Sequence, residues 1–429
     1  RYGMAVLLTF AGCARVASLQ LQPVGKVKSF SLLWSVPRQL KYSYSMSATS
    51  KPLAGLVVLS MEQAVAAPVA TCRLADDGAR VIKVERLSGD FARAYDKNGN
   101  GGSSYFSWLN RGKESLVVDI KQQKSKQLLH SILERADVFV QNLAPGAAAR
   151  AGFDSTELRK KYPKLITLDI SGYGNDRAFK GYKAYDLLVA AEAGLCSVTG
   201  TPDGPGRVGV SICDITAGMN GHAAIMKGLY LRERTGRGFG YTVSLFDTIA
   251  DIMNVPLMQQ RYTGKPPMRA GLAHPSIAPY GAFETKDARK ILISIQNERE
   301  WSKLCADVLG NPEIATDAMY NKPDLRVKNR QKLDQLISDN FKKFLIEDLK
   351  SKLLETGIAF GELNSVEGLM NHPVLRSVSY KNENGVEVIA AAPATIETGT
   401  DQRTRMENVP RLGEHTDKII AEFGGNSKL

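Results

Sequence analysis

The alternation of strand-like and helix-like segments from residue 53 onward restricts the fold more than any other feature of the chain. Leu53-Ala-Gly-Leu-Val-Val-Leu-Ser60 reads as a buried strand. Ala64 to Ala79 is alanine-rich, carries Leu74 and meets a stop at Gly78, so it reads as a helix. Arg80-Val-Ile-Lys-Val-Glu85 is a second strand. Strand, helix and strand joined by short connections make a βαβ unit, which requires parallel strands and a right-handed crossover. Leu116–Ile120, Ala136–Val140, Leu165–Ile170 and Gly240–Leu245 continue the series, with an amphipathic helix at Ser125–Arg135. The expected fold is α/β, a doubly wound, Rossmann-like parallel sheet.

The pattern breaks near Gly264-Lys-Pro-Pro267. After a loop-like stretch, Lys290–Ile295 reads as a strand and Trp301–Leu309 as a helix, and charged amphipathic helices run on to Glu355. Residues 270–365 are therefore expected to be a smaller α+β domain, set against a large domain of 52–265 plus 370–429. The last helix is expected near Thr416–Phe423.

Within the series, Arg207 to Arg237 carries the chemistry. Val208, Val210 and Ile212 alternate with Gly209 and Ser211, the period of a short strand. Asp214 follows, and then Ile215, Met219, Ala223, Ile225, Met226 and Leu229 at helical spacing, closing at Thr235-Gly-Arg-Gly238. That run is apolar nearly all round, so the helix is expected to be buried. Asp214 is expected at its N-cap, at the strand ends that face the ligand crevice of an open α/β sheet. A capping aspartate needs no further role. A carboxylate at a helix N-terminus also has its negative charge stabilised, and it can act as an acyl-accepting nucleophile.

Charge is unevenly placed. The formal net charge is +12, and no Asp or Glu precedes Glu62, whereas Arg1, Arg15, Lys26, Lys28, Arg38, Lys41 and Lys51 do. The remainder is only mildly basic, which offers no footprint for nucleic acid. Residues 1–50, rich in Arg, Lys and Ser and free of acid, have the composition of a mitochondrial targeting leader. The chain begins with Arg, and Met46 is an alternative start, which would make the protein cytoplasmic. No apolar run reaches membrane-spanning length. The five cysteines form no CxxC pair, which fits a reducing compartment.

HExxH, P-loop and GxSxG patterns are absent, and His130, His222, His274, His372 and His415 show no metal-ligand spacing. No metal site and no tightly bound cofactor are expected.

Several stretches in order carry a resemblance. They are Leu53-Ala-Gly-Leu-Val-Val-Leu, Ala66-Ala-Pro68, Leu74-Ala-Asp-Asp-Gly-Ala-Arg-Val-Ile-Lys-Val-Glu-Arg86, Gly89-Asp90 and Asn110-Arg-Gly-Lys-Glu-Ser115. Ala136-Asp-Val-Phe-Val-Gln-Asn142, Pro145-Gly146, Ile170-Ser-Gly-Tyr-Gly174, Tyr185-Asp186, Cys213-Asp214-Ile-Thr-Ala-Gly218, Arg234-Thr-Gly-Arg-Gly238 and Leu412-Gly-Glu-His-Thr-Asp417 complete the set. From about residue 52 to 425 the chain resembles the family III (CaiB/BaiF) CoA-transferases. The resemblance implies an interlocked-ring homodimer, acyl-CoA and a carboxylic acid as substrates, and Asp214 as the catalytic nucleophile. It also implies that Arg86, Lys121, Arg150 and Lys183 contact CoA, with Val118, Asn142, Leu143 and Ala144 forming its pantetheine and nucleotide wall. Many relatives place Gln where this chain has Val65, with Gln63 close by.

Racemases of the same family carry His before the aspartate matched by Asp186. Here Tyr185 stands in that place, and a phenol with an ordinary pKa near 10 is a poor proton shuttle. Ala273-His-Pro-Ser-Ile-Ala-Pro-Tyr280-Gly-Ala-Phe283 resembles the succinate–hydroxymethylglutarate branch, whose relatives include itaconate transferases. The implied reaction moves CoA from succinyl-CoA to a short dicarboxylate such as itaconate or hydroxymethylglutarate, with His274 and Arg269 as candidates for the distal carboxylate. The alternatives are an α-methylacyl-CoA racemase and a non-catalytic CoA-binding protein.

Overall fold

Six strands form a wholly parallel sheet in the order β3-β2-β1-β4-β5-β6. They are β1 Val57–Met61, β2 Arg80–Glu85, β3 Lys113–Val117, β4 Val138–Gln141, β5 Ile166–Ser171 and β6 Gly240–Ser244. The computed structural model describes residues 51–174, 177–179, 181–396, 398 and 404–424. The leader read at 1–50 lies outside them.

Alternation along the strands sends side chains to two cores. Val58, Val81, Val138 and Leu168 face helices α1 (Ala66–Asp76) and α4 (Ile212–Thr235), joined by Ala67, Ala70, Leu74, Ala217 and Ile225. Leu59, Ile82, Leu116 and Phe139 face the opposite way, onto α2 (Gln123–Leu133) and the helix Thr416–Phe423. The sheet is thus covered on both faces. The outer edge at β3 is covered as well: Ser115 N donates to His415 Nδ1, His415 N to Ser115 O, and Val117 N to Thr416 Oγ1. That removes an exposed edge strand.

The order β3-β2-β1-β4-β5-β6 places a topological switch between β1 and β4. The chain leaves the sheet in opposite directions there, and a crevice opens at the carboxyl ends of the strands. Residues 278–358 have their own core of Phe283, Ile291, Ile293, Trp301, Leu304, Ile337 and Leu353. It is built on an antiparallel sheet of β7 Tyr280–Glu284, β8 Lys290–Ser294 and β9 Ala359–Glu362. All three cores lie within one compact unit, Lys51–Leu429.

Two expectations for the 207–237 stretch are corrected. Val208–Ile212 is not a strand: residues 206–211 are an irregular approach, and the helix begins at Ile212. Asp214 is therefore the third helical residue, and the N-cap position is Ser211. Nor is α4 buried all round. Its inner face consists of small residues, Ala217, Gly218, Gly221 and Gly228 with Cys213 and Ile225, while Met219, Met226 and Tyr230 are exposed. A Cβ on Gly218 would lie 2.4 Å from Ala66 O and 2.5 Å from Val69 Cβ, so a helix-to-helix approach this close excludes any side chain there.

Candidate active site

A crevice of about 630 Å³ occupies the switch point. Met61, Glu62 and Gln63 enter it after β1, and Val84 and Glu85 at the end of β2 are followed by Arg86 and the turn to Asp90. Val118–Lys121 follow β3, and Leu143 and Ala144 follow β4. Of the residues expected to contact CoA, Arg86, Val118, Lys121, Leu143 and Ala144 line it together.

The other three do not line it. The Asn142 side chain is committed to backbone: its Oδ1 accepts from Gln63 N at 2.9 Å, and its Nδ2 donates to Gln63 O at 2.9 Å. Arg150 is exposed on the short helix Ala147–Ala151 and reaches back to Pro145 O at 3.4 Å. Lys183 is exposed on the segment leading into α3 (Asp186–Glu192).

Three carboxylates in the crevice wall are neutralised from within. Lys113 Nζ lies 2.6 Å from Glu62 Oε1, Lys83 Nζ lies 2.7 Å from Asp90 Oδ2, and Arg93 Nη2 lies 2.7 Å from Glu85 Oε1. Burial alone would push the Glu62 carboxyl up, but Lys113 and Lys83 overcome it and hold Glu62 at about 2. Burial is likewise overcome at Glu85, where Arg93 and Lys83 hold the carboxyl at about 2. Arg86 and Lys121 are the cations at the mouth, a charge pattern suited to phosphates.

Asp214 sits apart from this wall, at the start of α4. The helix donors that its own carboxylate was expected to cap are taken by Asp186, the first residue of α3. Asp186 Oδ1 accepts from Cys213 N at 2.7 Å and Asp214 N at 3.3 Å. Ser211 makes no side-chain cap bond. Asp186 is thus the surrogate cap of α4, and the Asp214 carboxylate has no hydrogen-bond partner among the described residues. Burial, and then the negative charge of Asp186, push the Asp214 carboxyl up to about 7. At and above that pH it is an anion with little stabilisation from its surroundings, a condition that favours attack on an electrophile.

Tyr95 lies within electrostatic reach of both places. Burial raises its phenol, and Asp90 in the crevice wall and Asp214 add to the effect, carrying it to about 12. It therefore stays protonated and can donate a hydrogen bond. Its ring packs edge-on against Tyr105 at 5.5 Å and lies tilted against Phe91 at 5.6 Å. Tyr105 rests in turn on a small core of Val65, Val69 and Leu109 with Ile215. Val65 is a packing residue there, and Gln63 lines the crevice.

His274 and Arg269 do not line the crevice. His274 stacks on Tyr280 with centroids 5.3 Å apart, and its Nδ1 accepts from Ser276 N. Arg269 Nε donates to Thr201 O at 2.9 Å, and its other nitrogens lie 3.3 Å from Ser197 O and Pro202 O. Its guanidinium ties the 264–279 segment to residues 197–202, at the start of the hairpin of Gly200–Thr201 and Gly204–Pro205 that precedes the approach to α4. His222, two turns beyond Asp214, pairs with Asp77 at 3.6 Å and lines a second cavity of about 390 Å³ with Ile215. Among the described residues no group of three or more His, Cys, Asp or Glu is placed to hold a metal ion.

Residues 53–416 match the model of CoA-transferase family III. The chain belongs to that family. It is 34% identical to an acetyl-CoA:oxalate CoA-transferase of Acetobacter aceti, over 87% of this chain and 96% of that protein. It is 33% identical to a succinyl-CoA:glutarate CoA-transferase of Mus musculus, over 87% and 86%. A crystal structure of a CAIB/BAIF family protein from Brucella suis superposes with a TM-score of 0.74 at 30% identity, covering 87% of this chain and all of that one. The protein is accordingly a CoA-transferase that takes CoA thioesters as substrates.

The capping role of Asp186 and the placing of Tyr95 and Gln63 in this transferase are not evident from sequence. On sequence Asp186 could be structural or could line the site, and its capping partner Cys213 lies 27 residues on. Tyr95 follows the Gly89-Asp90 turn with no periodicity to mark it.

Proposed function

We propose that this transferase moves CoA from succinyl-CoA to a short dicarboxylate, through Asp214. Itaconate and hydroxymethylglutarate are the acceptors favoured by the 273–283 stretch, and glutarate joins them from the name of the mouse relative. The observation that carries the reading is the Asp214 carboxylate itself: without a hydrogen-bond partner among the described residues, at a helix N-terminus, and raised to about 7 by burial and Asp186.

The Asp214 carboxylate attacks the thioester carbon and expels CoA thiolate, leaving a mixed succinyl–aspartyl anhydride. The thiolate returns to the aspartyl carbonyl, giving an aspartyl-CoA thioester and free succinate. The acceptor carboxylate attacks that thioester, expels CoA thiolate once more and forms a second mixed anhydride with Asp214. Thiolate attack on the acceptor's acyl carbon then yields the new acyl-CoA and restores Asp214. Each step exchanges one activated acyl group for another, so no net proton is consumed. The Tyr95 phenol is the donor suited to an oxyanion beside Asp214.

Arg86, Lys121, Arg150 and Lys183 would meet the phosphates of CoA. Val118, Asn142, Leu143 and Ala144 would form its wall, Asn142 by shaping the turn at Gln63. His274 and Arg269 are assigned to the distal carboxylate; for Arg269 that requires release from the hairpin carbonyls. Residues 52–265 with 370–429 form the CoA-binding part in this reading, and 270–365 the smaller domain. The exposed apolar residues of α4 and the helices after β6, Met219, Met226, Tyr230, Leu257, Met258 and Tyr262, support a homodimer. The composition of residues 1–50 supports a mitochondrial location.

The test is product identity. Succinyl-CoA with each acid in turn should give the matching acyl-CoA and free succinate. Failure with all three acids would overturn the dicarboxylate assignment. Exchange of the α-proton in deuterated water without transfer would turn the reading to the racemase.

A further inference from the structure

The turn after β1 is held in an unfavourable conformation. Ala64 has φ of +63°, in the left-handed region that a residue with a side chain rarely adopts. Two neighbours hold it. Ala64 N donates to Asp90 Oδ1 at 3.1 Å, and the Asn142 carboxamide brackets the Gln63 backbone with two bonds of 2.9 Å. Asp90 is fixed in turn by the fully buried Lys83 and by Ala92 N at 2.9 Å. A turn clamped from the ends of both β2 and β4 has one visible result. It sets the Gln63 side chain in the crevice wall, with its Oε1 accepting from Arg86 Nη2 at 3.1 Å.

Among the described residues Arg86 has one other polar anchor, Nε donating to Gly89 O at 3.1 Å, and its guanidinium lies 5.7 Å from the Phe91 ring centre. Two hydrogen bonds on different nitrogens fix the plane of the guanidinium fork. Nη1 has no protein partner among the described residues, so it is open to a ligand. An arginine held in this way loses less side-chain entropy on binding an anion than one free to rotate.

We propose that Gln63 is a positioning residue for the CoA-bearing substrate, acting through Arg86, and that Asn142 and Asp90 hold it in place. This rests on the assignment of Arg86 to the CoA phosphates.

The test compares KM for succinyl-CoA, kcat and melting temperature in Gln63→Met, Arg86→Met and the double variant. Methionine matches glutamine in length but lacks the acceptor oxygen. Gln63→Met is expected to raise KM by about tenfold, with kcat changed by less than about twofold. The same replacement in the Arg86→Met background is expected to change KM no further, because the residue through which Gln63 acts is gone. Multiplicative effects in the double variant would overturn the proposal, since Gln63 would then act independently of Arg86. So would an unchanged KM in Gln63→Met beside a raised KM in Arg86→Met, which leaves the CoA assignment standing. An unchanged KM in Arg86→Met would overturn the CoA assignment itself, and with it the proposal. Gln63→Ala removes the same oxygen and gives the same reading if the methionine variant does not fold.

Discussion

Asp214 and Asp186 act as a pair in which one carboxylate caps the helix and frees the other. Their chemistry sets a pH dependence. The Asp214 carboxyl is raised to about 7, and the proposed attack through Asp214 would need its anion, so kcat/KM should climb with pH to a plateau above about 7. Asp186→Asn keeps an oxygen for Cys213 N and Asp214 N but removes the like charge, which favours ionisation of Asp214. The acid limb should therefore move to lower pH in that variant; a limb that stays in place would show that Asp186 does not set it. Stability carries the opposite sign. A folded-state value of about 7 against an ordinary 3.8 means a contribution that is whole below 3.8 and lost as pH rises through 7. Asp214→Asn should melt above the wild type at pH 8, with the gap narrowing toward pH 5. An equal gap at both values would contradict the shift.

At the scale of elements, the parts legible in sequence were those whose signals are local. Strand, helix and strand at 57–85 follow from apolar runs and a glycine stop, and Thr416–Phe423 from its amphipathic spacing. The strand read at Val208–Ile212 failed because the start of α4 is set by Asp186, which precedes Cys213 by 27 residues and lies outside any local window. Lys83 and Glu85 show the same limit. In a strand their charge suggests a wet face, yet both are buried, and their partners Asp90 and Arg93 come from the following turn. The small residues of α4 were visible, but their purpose was not until α1 was seen against them. Gly218→Ala tests that contact. It should cost about 1–3 kcal/mol, read as a lower denaturation midpoint, because Ala66 O and Val69 would have to move. An unchanged midpoint would mean that the α1–α4 approach is looser than described.

At the scale of the molecule, the switch between β1 and β4 places the crevice, and Tyr95 feels the charge of both Asp90 in its wall and Asp214. Five of the eight CoA contacts expected from the resemblance gather at this crevice, because they follow the ends of adjacent strands. Arg150 and Lys183 lie on exposed segments outside it, and Asn142 serves the turn rather than the crevice surface. The exposed Met219, Met226 and Tyr230 carry a prediction of their own. The protein should have twice the chain mass in solution, and Met226→Glu with Tyr230→Glu should weaken that association. A wild-type monomer would remove the dimer from the reading.

Covalent catalysis itself is open to mass measurement. Purified protein is incubated with succinyl-CoA alone, quenched, digested and weighed, with hydroxylamine added in parallel. The Asp214 peptide should carry CoA as a thioester, and hydroxylamine should convert it to the hydroxamate, while Asp214→Asn forms neither and transfers no CoA. An unmodified Asp214 peptide in an active enzyme, or full transfer by Asp214→Asn, would contradict the mechanism.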